Sequence, residues 1–250
     1  MSPETADLPA AVRLSWWGTG WLRAEVSEGV LAAAVAGAEV RHLVVGAPND
    51  DPSVGSLTTF LEAERAAGGE SVAAAFPGAG DPVGLRGPRT LTAAAIEAGQ
   101  AVVLPALGKG LVPVQVGPVV EWHEYDAHRP LPPDLGEADR TLRGALLAAA
   151  DGLAALDVAS WSPEVADDLI DLRAGSVVPG VSWVPERSRV LLARALHLRD
   201  VVDLALRDDG GALGVTEAAR RRDLLEPLGA AVRRALTACC SPDGWPPVAR

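Results

Sequence analysis

The stretch RPLPP at residues 129–133 divides the chain into two parts with different hydrophobic patterns. Three prolines in four positions form a stiff, extended connector, because proline fixes its own backbone angle and lacks an N–H group. Strand-like runs precede this connector, and helical periodicity follows it. The sequence therefore predicts a mixed α/β, or α+β, fold. We expect a mixed sheet with short helices at residues 1–129, the Pro-rich connector at 130–133, and an all-helical domain or layer at 134–250.

The C-terminal part repeats apolar residues at spacings of three and four in four segments. These segments begin at Asp134, Ser162, Pro185 and Thr216, residue types that favour helix starts. Each segment carries an apolar stripe wide enough to bury against a neighbouring helix or against a sheet. The pattern predicts a four-helix segment.

The N-terminal part alternates short strand-like runs with short helical ones. Residues 12–17 and 21–26 flank Gly18-Thr19-Gly20, which predicts a β-hairpin with a three-residue turn. Helices are expected at residues 28–36, from Pro52 with Asp51 as the N-cap, and from Pro88. Further strands are predicted at residues 40–45, 71–75, 83–86, 101–104, 111–116 and 119–124.

Composition and charge limit the classes of partner. Of the 250 residues, 48% are hydrophobic, which is enough for a packed core, and the formal net charge is −11. An acidic chain repels phosphate backbones unless basic residues are concentrated on one surface. The arginine runs at 220–222 and 233–234 lie on one predicted helix and fit a solvated outer face. We therefore expect no nucleic-acid partner.

The sequence also predicts a cytoplasmic protein that does not enter a membrane. It has two cysteines, Cys239 and Cys240, and adjacent cysteines do not form an ordinary structural disulfide. Its first ten residues lack the apolar segment with basic flank of a signal peptide. No run of about 18 apolar residues occurs, so no spanning helix is expected.

Candidate metal ligands cluster just before the connector, at His123, Glu124, Asp126 and His128. Carboxylate and imidazole groups together suit zinc, manganese or iron. In a continuous strand, however, alternation places Glu124, Asp126 and His128 on one face and His123 on the other. The alternative interpretation is a strand end that emerges into solvent, where charged residues belong.

A candidate anion site lies at Arg86, Gly87 and Arg89, at the start of the helix predicted from Pro88. Free N–H groups and the positive end of the helix dipole attract anions, and arginine binds phosphate or carboxylate with two hydrogen bonds. The alternative is an ordinary turn between strand and helix, with arginines facing solvent.

Asp50 and Asp51 form a third candidate, for ligand binding, because they follow a strand of the buried type. Ligands of open α/β sheets bind beyond the carboxyl ends of strands. Helix capping explains Asp51 equally well without any function.

Two functions follow from these patterns. The first is a non-catalytic binding or protein-interaction module, in which the helical half supplies a surface for a partner or a second copy. The second is a protein or enzyme that binds a small phosphate- or carboxylate-bearing ligand in the N-terminal half. The sequence contains no serine or cysteine motif with a convincing histidine partner for nucleophilic catalysis. No motif identifies a cofactor, so the cofactor is unknown at this point.

Overall fold

The computed structural model describes residues 8–37, 41–46, 54–155, 178, 180–207 and 215–245. The elements appear in an order that places helices on both sides of one sheet. The helices are α1 Ala10–Leu22, α2 Glu28–Ala36, α3 Leu57–Ala66, α4 Arg89–Ala98, α5 Leu135–Ala155, α6 Glu186–Arg207 and α7 Val215–Cys239, and the strands are β1 Arg41–Val45, β2 Val54–Ser56, β3 Ala73–Ala75, β4 Ala101–Leu104, β5 Lys109–Val116 and β6 Val119–Asp126.

The strands of the described residues form one mixed sheet with the order β2-β1-β6-β5-β4-β3. β1 and β6 are parallel, with Val44 opposite Trp122, and the other neighbours are antiparallel. The ladder between β4 and β5 ends at the pair Val102–Leu111. Pro113 therefore lies beyond it, where a missing N–H group costs no hydrogen bond. The predicted mixed α and β class is confirmed.

The predicted N-terminal hairpin is wrong, because residues 10–22 form the single helix α1 and all 13 of them are buried. Its apolar residues lie on every side of the helix, as expected for a helix enclosed by protein. Over so short a run, that distribution also fits two strands. The tryptophan-rich sequence therefore indicated burial correctly and the element type incorrectly.

The glycines of α1 serve close packing and not a turn. A Cβ atom added to Gly20 would lie 2.7 Å from the indole of Trp183, and one added to Gly18 would lie 3.1 Å from Val72. The Trp183 indole N–H donates to the carbonyl oxygen of Trp16 at 2.9 Å. The two small residues thus let neighbouring side chains reach the backbone of α1.

Three other expectations differ from the structure or lie outside it. Residues 83–86 form a turn, and only Arg86 makes a single bridge, to His128. The helix expected from Pro52 begins at Leu57, because residues 54–56 pair with β1 as a strand. The helix predicted from Ser162 lies outside the described residues, so the C-terminal half contributes α5, α6 and α7 to the described structure.

The two faces of the sheet pack against different helices. One face meets α4, whose Leu91 and Ala95 are buried against Val103 and Val112. The other face meets α1. The buried side chains between them belong to a second, larger cluster, which continues through Leu142, Leu192 and Leu236 into the three long helices of the C-terminal half. The larger core therefore contains side chains from both halves of the chain.

Hydrogen bonds also join the halves at the end of α7. The Trp16 indole N–H donates to the Cys239 carbonyl at 3.2 Å, and the Ser15 hydroxyl to the Cys240 carbonyl at 3.0 Å. The backbone N–H of Ala74 donates to the same Cys240 carbonyl at 2.7 Å. Division into separately folding domains near residues 129–133 stays a prediction.

Candidate functional site: a cleft between the helical layer and the sheet

A cavity of about 640 Å³ opens between the C-terminal helices and the sheet layer. Its walls come from α6, α7, the loop that follows β3 and the C-terminal end of α4. Its floor is apolar and consists of the buried side chains Phe76, Val202, Leu225, Val232 and Leu236.

We call this space the first cavity. Six charged side chains also line it. Three are arginines and three are carboxylates. Arg199 is already paired, since its Nε and Nη2 atoms donate to Asp200 Oδ1 at 3.2 and 3.1 Å. The full set is Arg199, Arg222, Arg233, Asp200, Asp203 and Glu226.

Arg233 differs from the other charged residues of the first cavity. Its side chain is mostly buried, and within the described part of the chain it makes no ion pair and its Nε atom has no hydrogen-bond partner. A Cβ atom added to Gly78 would lie 2.5 Å from this Nε, so the guanidinium lies against the Gly78 backbone. The next residue, Arg234, instead pairs with Asp81 at 3.1 Å on the surface.

The turn that holds Arg233 in place is itself well anchored. Gly78 and Asp81 exchange two backbone hydrogen bonds, of 2.9 and 3.0 Å, across a turn in which Gly80 has φ +74°. A positive φ favours glycine, so this position suits its residue. Just before the turn, the Phe76 N–H donates to Thr237 Oγ1 of α7 at 3.0 Å. The wall beside Arg233 is thus fixed to α7 from both sides.

A second cavity, of about 710 Å³, adjoins the first. Four residues line both: Pro9, Ala98, Gln100 and Arg199. The second cavity lies beside β5 past the end of the β4 ladder, between the N-terminal end of α1 and the C-terminal end of α4. The side chains of hydrogen-bonding residues around it include Arg13, Gln100, Gln115, His123 and Tyr125.

Gln100 stands at the boundary between the two cavities. Its Oε1 atom accepts the N–H of Ala11 at 3.0 Å and so caps the first turn of α1, where Pro9 offers no side-chain acceptor. The position of this side chain therefore follows from a structural bond that both cavities share.

The structure does not bring the predicted metal ligands together as one group. Lys109 Nζ lies 2.8 Å from Glu124 and 3.0 Å from Asp126, so one ammonium group already pairs with both carboxylates. His123 faces the opposite side of β6, 3.3 Å from Glu121. His128 is exposed beyond the strand. Among the described residues, no group of three or more His, Cys, Asp or Glu is placed to hold a metal ion.

The predicted anion site lies at the start of α4, away from both cavities. Arg86 and Arg89 are exposed, and Pro88 is the N-cap without a side-chain hydrogen bond. Gly87 packs closely, since an added Cβ would lie 2.8 Å from Leu91. Anion binding there stays a prediction. Asp50 and Asp51 lie outside the described residues.

The buried thiols offer no nucleophile. Cys239 and Cys240 are free and fully enclosed by α1 and α7. Burial raises the pKa of both thiols well above the ordinary value, which disfavours the reactive thiolate. Among the described helices, none is long and apolar enough to cross a membrane.

Two family models match this chain. Residues 11–137 match the model for the N-terminal domain of the Rv1486c-like protein, and residues 136–237 match the model for its C-terminal domain. The chain belongs to the Rv1486c-like family. No curated protein and no solved structure matches it.

In this Rv1486c-like chain, the first cavity lies between the two matched segments. Phe76 and Ala98 belong to the N-terminal match, whereas Val202 and Arg233 belong to the C-terminal match. Clefts between domains are common positions for small-molecule sites. The first cavity is therefore a candidate small-molecule site whose walls come from both matched segments.

The sequence pattern alone does not distinguish Arg233 from Arg234, because the two adjacent arginines fit one solvated run. The distinguishing signal is Gly229, one helical turn earlier, since long helical side chains lie over the turn that precedes them. An added Cβ at Gly229 would lie 3.5 Å from Arg233 Nη1. Small Gly229 thus leaves room for the guanidinium beside the cavity, while Arg234 points outward.

Proposed function

We propose that the protein is a non-catalytic binding protein for a small amphipathic acid. The carboxylate or phosphate of this ligand pairs with the Arg233 guanidinium, and its apolar part covers the floor of the first cavity. The observation that carries the proposal is the mostly buried Arg233 at the edge of an apolar cavity, which makes no ion pair with any described residue and whose Nε has no hydrogen-bond partner among them.

Electrostatics supports an anionic ligand. Burial of a charge is unfavourable unless the charge is paired, and buried arginines normally contact a carboxylate or phosphate. The carboxylate of Asp81 pairs with Arg234, and Asp81 does not line the cavity. A ligand carboxylate is well matched to Arg233, because a planar guanidinium and a planar carboxylate form two parallel hydrogen bonds.

The lining of the first cavity favours binding over nucleophilic catalysis. Among its described lining residues there is no serine, threonine, cysteine, lysine or histidine. Its polar groups are arginines, three carboxylates and Gln100, which can orient a ligand. The sequence-based expectation of a non-catalytic module and that of a small anionic ligand are thus combined in one site.

We expect octanoate to bind wild-type protein and to bind Arg233→Gln about 10- to 150-fold more weakly, since a hydrogen bond to a charged group contributes about 1.5–3 kcal/mol. Isothermal titration calorimetry with octanoate and, separately, with inorganic phosphate measures both affinities. The comparison of the two probes shows whether the apolar part of the ligand contributes.

Arg234→Gln is the matched control, because it removes a neighbouring arginine whose charge is paired on the surface. Its affinity for octanoate should equal that of the wild type. Equal binding by Arg233→Gln and Arg234→Gln, or no binding of either probe to the wild type, would contradict the proposal.

Self-association through the helical half is the second candidate. Helix α5 exposes two adjacent leucines, Leu147 with 66% and Leu146 with 37% of its surface accessible. Exposed leucines on a helix are typical of contact surfaces when they lie together. We expect sedimentation velocity to show a concentration-dependent dimer that Leu147→Glu abolishes. A monomer at all concentrations would exclude this role for α5.

A further inference from the structure

The first and second cavities have complementary linings. The first has an apolar floor with Arg233 at its edge, and the second has hydrogen-bonding side chains on α1, β5 and β6. Within the described part of the chain, the Tyr125 hydroxyl has no hydrogen-bond partner, and the Gln100 amide uses only its oxygen, toward Ala11. The second cavity therefore offers the hydroxyl of Tyr125, and the Gln100 amide N–H groups lie where the two cavities meet.

The two cavities adjoin, because they share lining residues. Arg199 lines both spaces, and Asp200, its neighbour on α6, holds its guanidinium with two hydrogen bonds. Ala98 and Gln100 also line both spaces. The second cavity therefore lies directly beside the first.

We infer that the ligand is elongated and bipartite, with its acidic end at Arg233 and a hydrogen-bonding group at its other end, in the second cavity. This inference rests on the proposed function. It adds the chemical class of the ligand: an acid with an apolar middle and a polar far end. A polar ligand end that enters the second cavity forms hydrogen bonds with the lining side chains in place of water. A methyl end would displace the water and leave those side chains without partners.

A pair of matched probes tests the polar far end. We expect ω-hydroxydodecanoate to bind about fivefold more tightly than dodecanoate, in line with one neutral hydrogen bond. Octanoate, which is shorter and has no polar end, reports on the first cavity alone. Calorimetry with all three probes gives the affinities.

A variant that fills the second cavity should remove this preference. Ala94→Trp places an indole in a wall of the second cavity only, whereas Ala93→Trp places it on the exposed face of the same helix. Ala94→Trp should bind both twelve-carbon probes with equal affinity and leave octanoate unchanged, and Ala93→Trp should behave as the wild type. Tyr125→Phe, which removes a single hydroxyl, gives a second reading with little risk to folding.

Separate outcomes overturn the inference and the proposed function. If the wild type does not prefer ω-hydroxydodecanoate, or if Ala94→Trp and Tyr125→Phe both keep the preference, the bipartite ligand is excluded, while binding of octanoate through Arg233 still supports the first cavity. If octanoate binding does not depend on Arg233, the proposed function fails, and the inference fails with it.

Discussion

Trp16→Ala is expected to lower the free energy of unfolding by about 3–5 kcal/mol, the range for loss of a large aromatic side chain from a core. Trp16 has no accessible surface, and its indole N–H donates to the Cys239 carbonyl at 3.2 Å. The substitution leaves a cavity between α1 and α7 and removes the donor to that carbonyl. Urea denaturation followed by circular dichroism measures the loss.

Two control variants separate the causes of this loss. Trp16→Phe removes the hydrogen bond but keeps most of the apolar volume, so its cost should be about 1–2 kcal/mol. Leu147→Ala alters a leucine with 66% of its surface exposed and should change stability by less than about 0.5 kcal/mol. A loss below about 1 kcal/mol for Trp16→Ala would contradict the central position of α1.

The position of Trp16 also decides how the halves unfold. Because it joins the sheet side of the core to the end of α7, its removal should shift one common unfolding transition. Two transitions, of which only one moves, would instead support the separately folding domains predicted from the connector at residues 129–133.

Local patterns were sufficient for most elements of the sheet. Strand β4 and helix α2 have the predicted bounds, because residues that end regular structure flank each of them: Ser27 and Gly37 for α2, and Gly99 and Pro105 for β4. Pro113 lies past the last pair of the ladder with β4, where proline is tolerated. These features depend on neighbours in sequence, which a sequence shows directly.

The predictions that were wrong concern contacts between residues that are distant in sequence and close in space. Whether residues 10–22 form a helix or a hairpin is decided by burial on all sides, which long-range packing alone provides. The guanidinium of Arg233 is mostly buried because the backbone of Gly78, more than 150 positions earlier in the chain, lies against it. For the same reason, Lys109 occupies the space between Glu124 and Asp126 that a metal was predicted to fill.

Glu64 is a second side chain whose removal should have a large effect. It lies on α3 with no accessible surface. Its two carboxyl oxygens accept the N–H groups of Ala106 and Leu107, at 3.0 and 2.9 Å, and so hold the turn between β4 and β5. No local sequence pattern indicates this contact, because 42 positions separate Glu64 from Ala106.

Glu64→Ala is expected to lower the free energy of unfolding by about 2–6 kcal/mol, since each of two N–H groups left without an acceptor costs about 1–3 kcal/mol. Glu62→Ala, an exposed position on the same helix, should change it by less than about 0.5 kcal/mol. Urea denaturation at neutral pH measures both. Equal effects of the two substitutions would show that the turn does not depend on the buried carboxyl group.

The same carboxyl group predicts a pH dependence of stability. Burial raises the pKa of Glu64, the N–H groups of Ala106 and Leu107 lower it, and the negative charge of Asp243 raises it, so that the pKa is raised overall. Because the folded pKa lies above the unfolded value, the folded protein binds this proton more tightly than the unfolded chain does. The stability from this proton is complete below the unfolded pKa of about 4.3 and is lost as the pH rises through the folded pKa.

Glu64→Gln keeps the side chain neutral at every pH and so isolates this effect. The stability advantage of the wild type over Glu64→Gln should be greatest below the unfolded pKa of about 4.3 and should shrink as the pH rises through the folded pKa. Other titrating groups cancel in this difference, since both proteins contain them. An advantage that grows as the pH rises would mean that the two N–H groups stabilise the carboxylate more than burial disfavours it, and that the pKa is lowered instead.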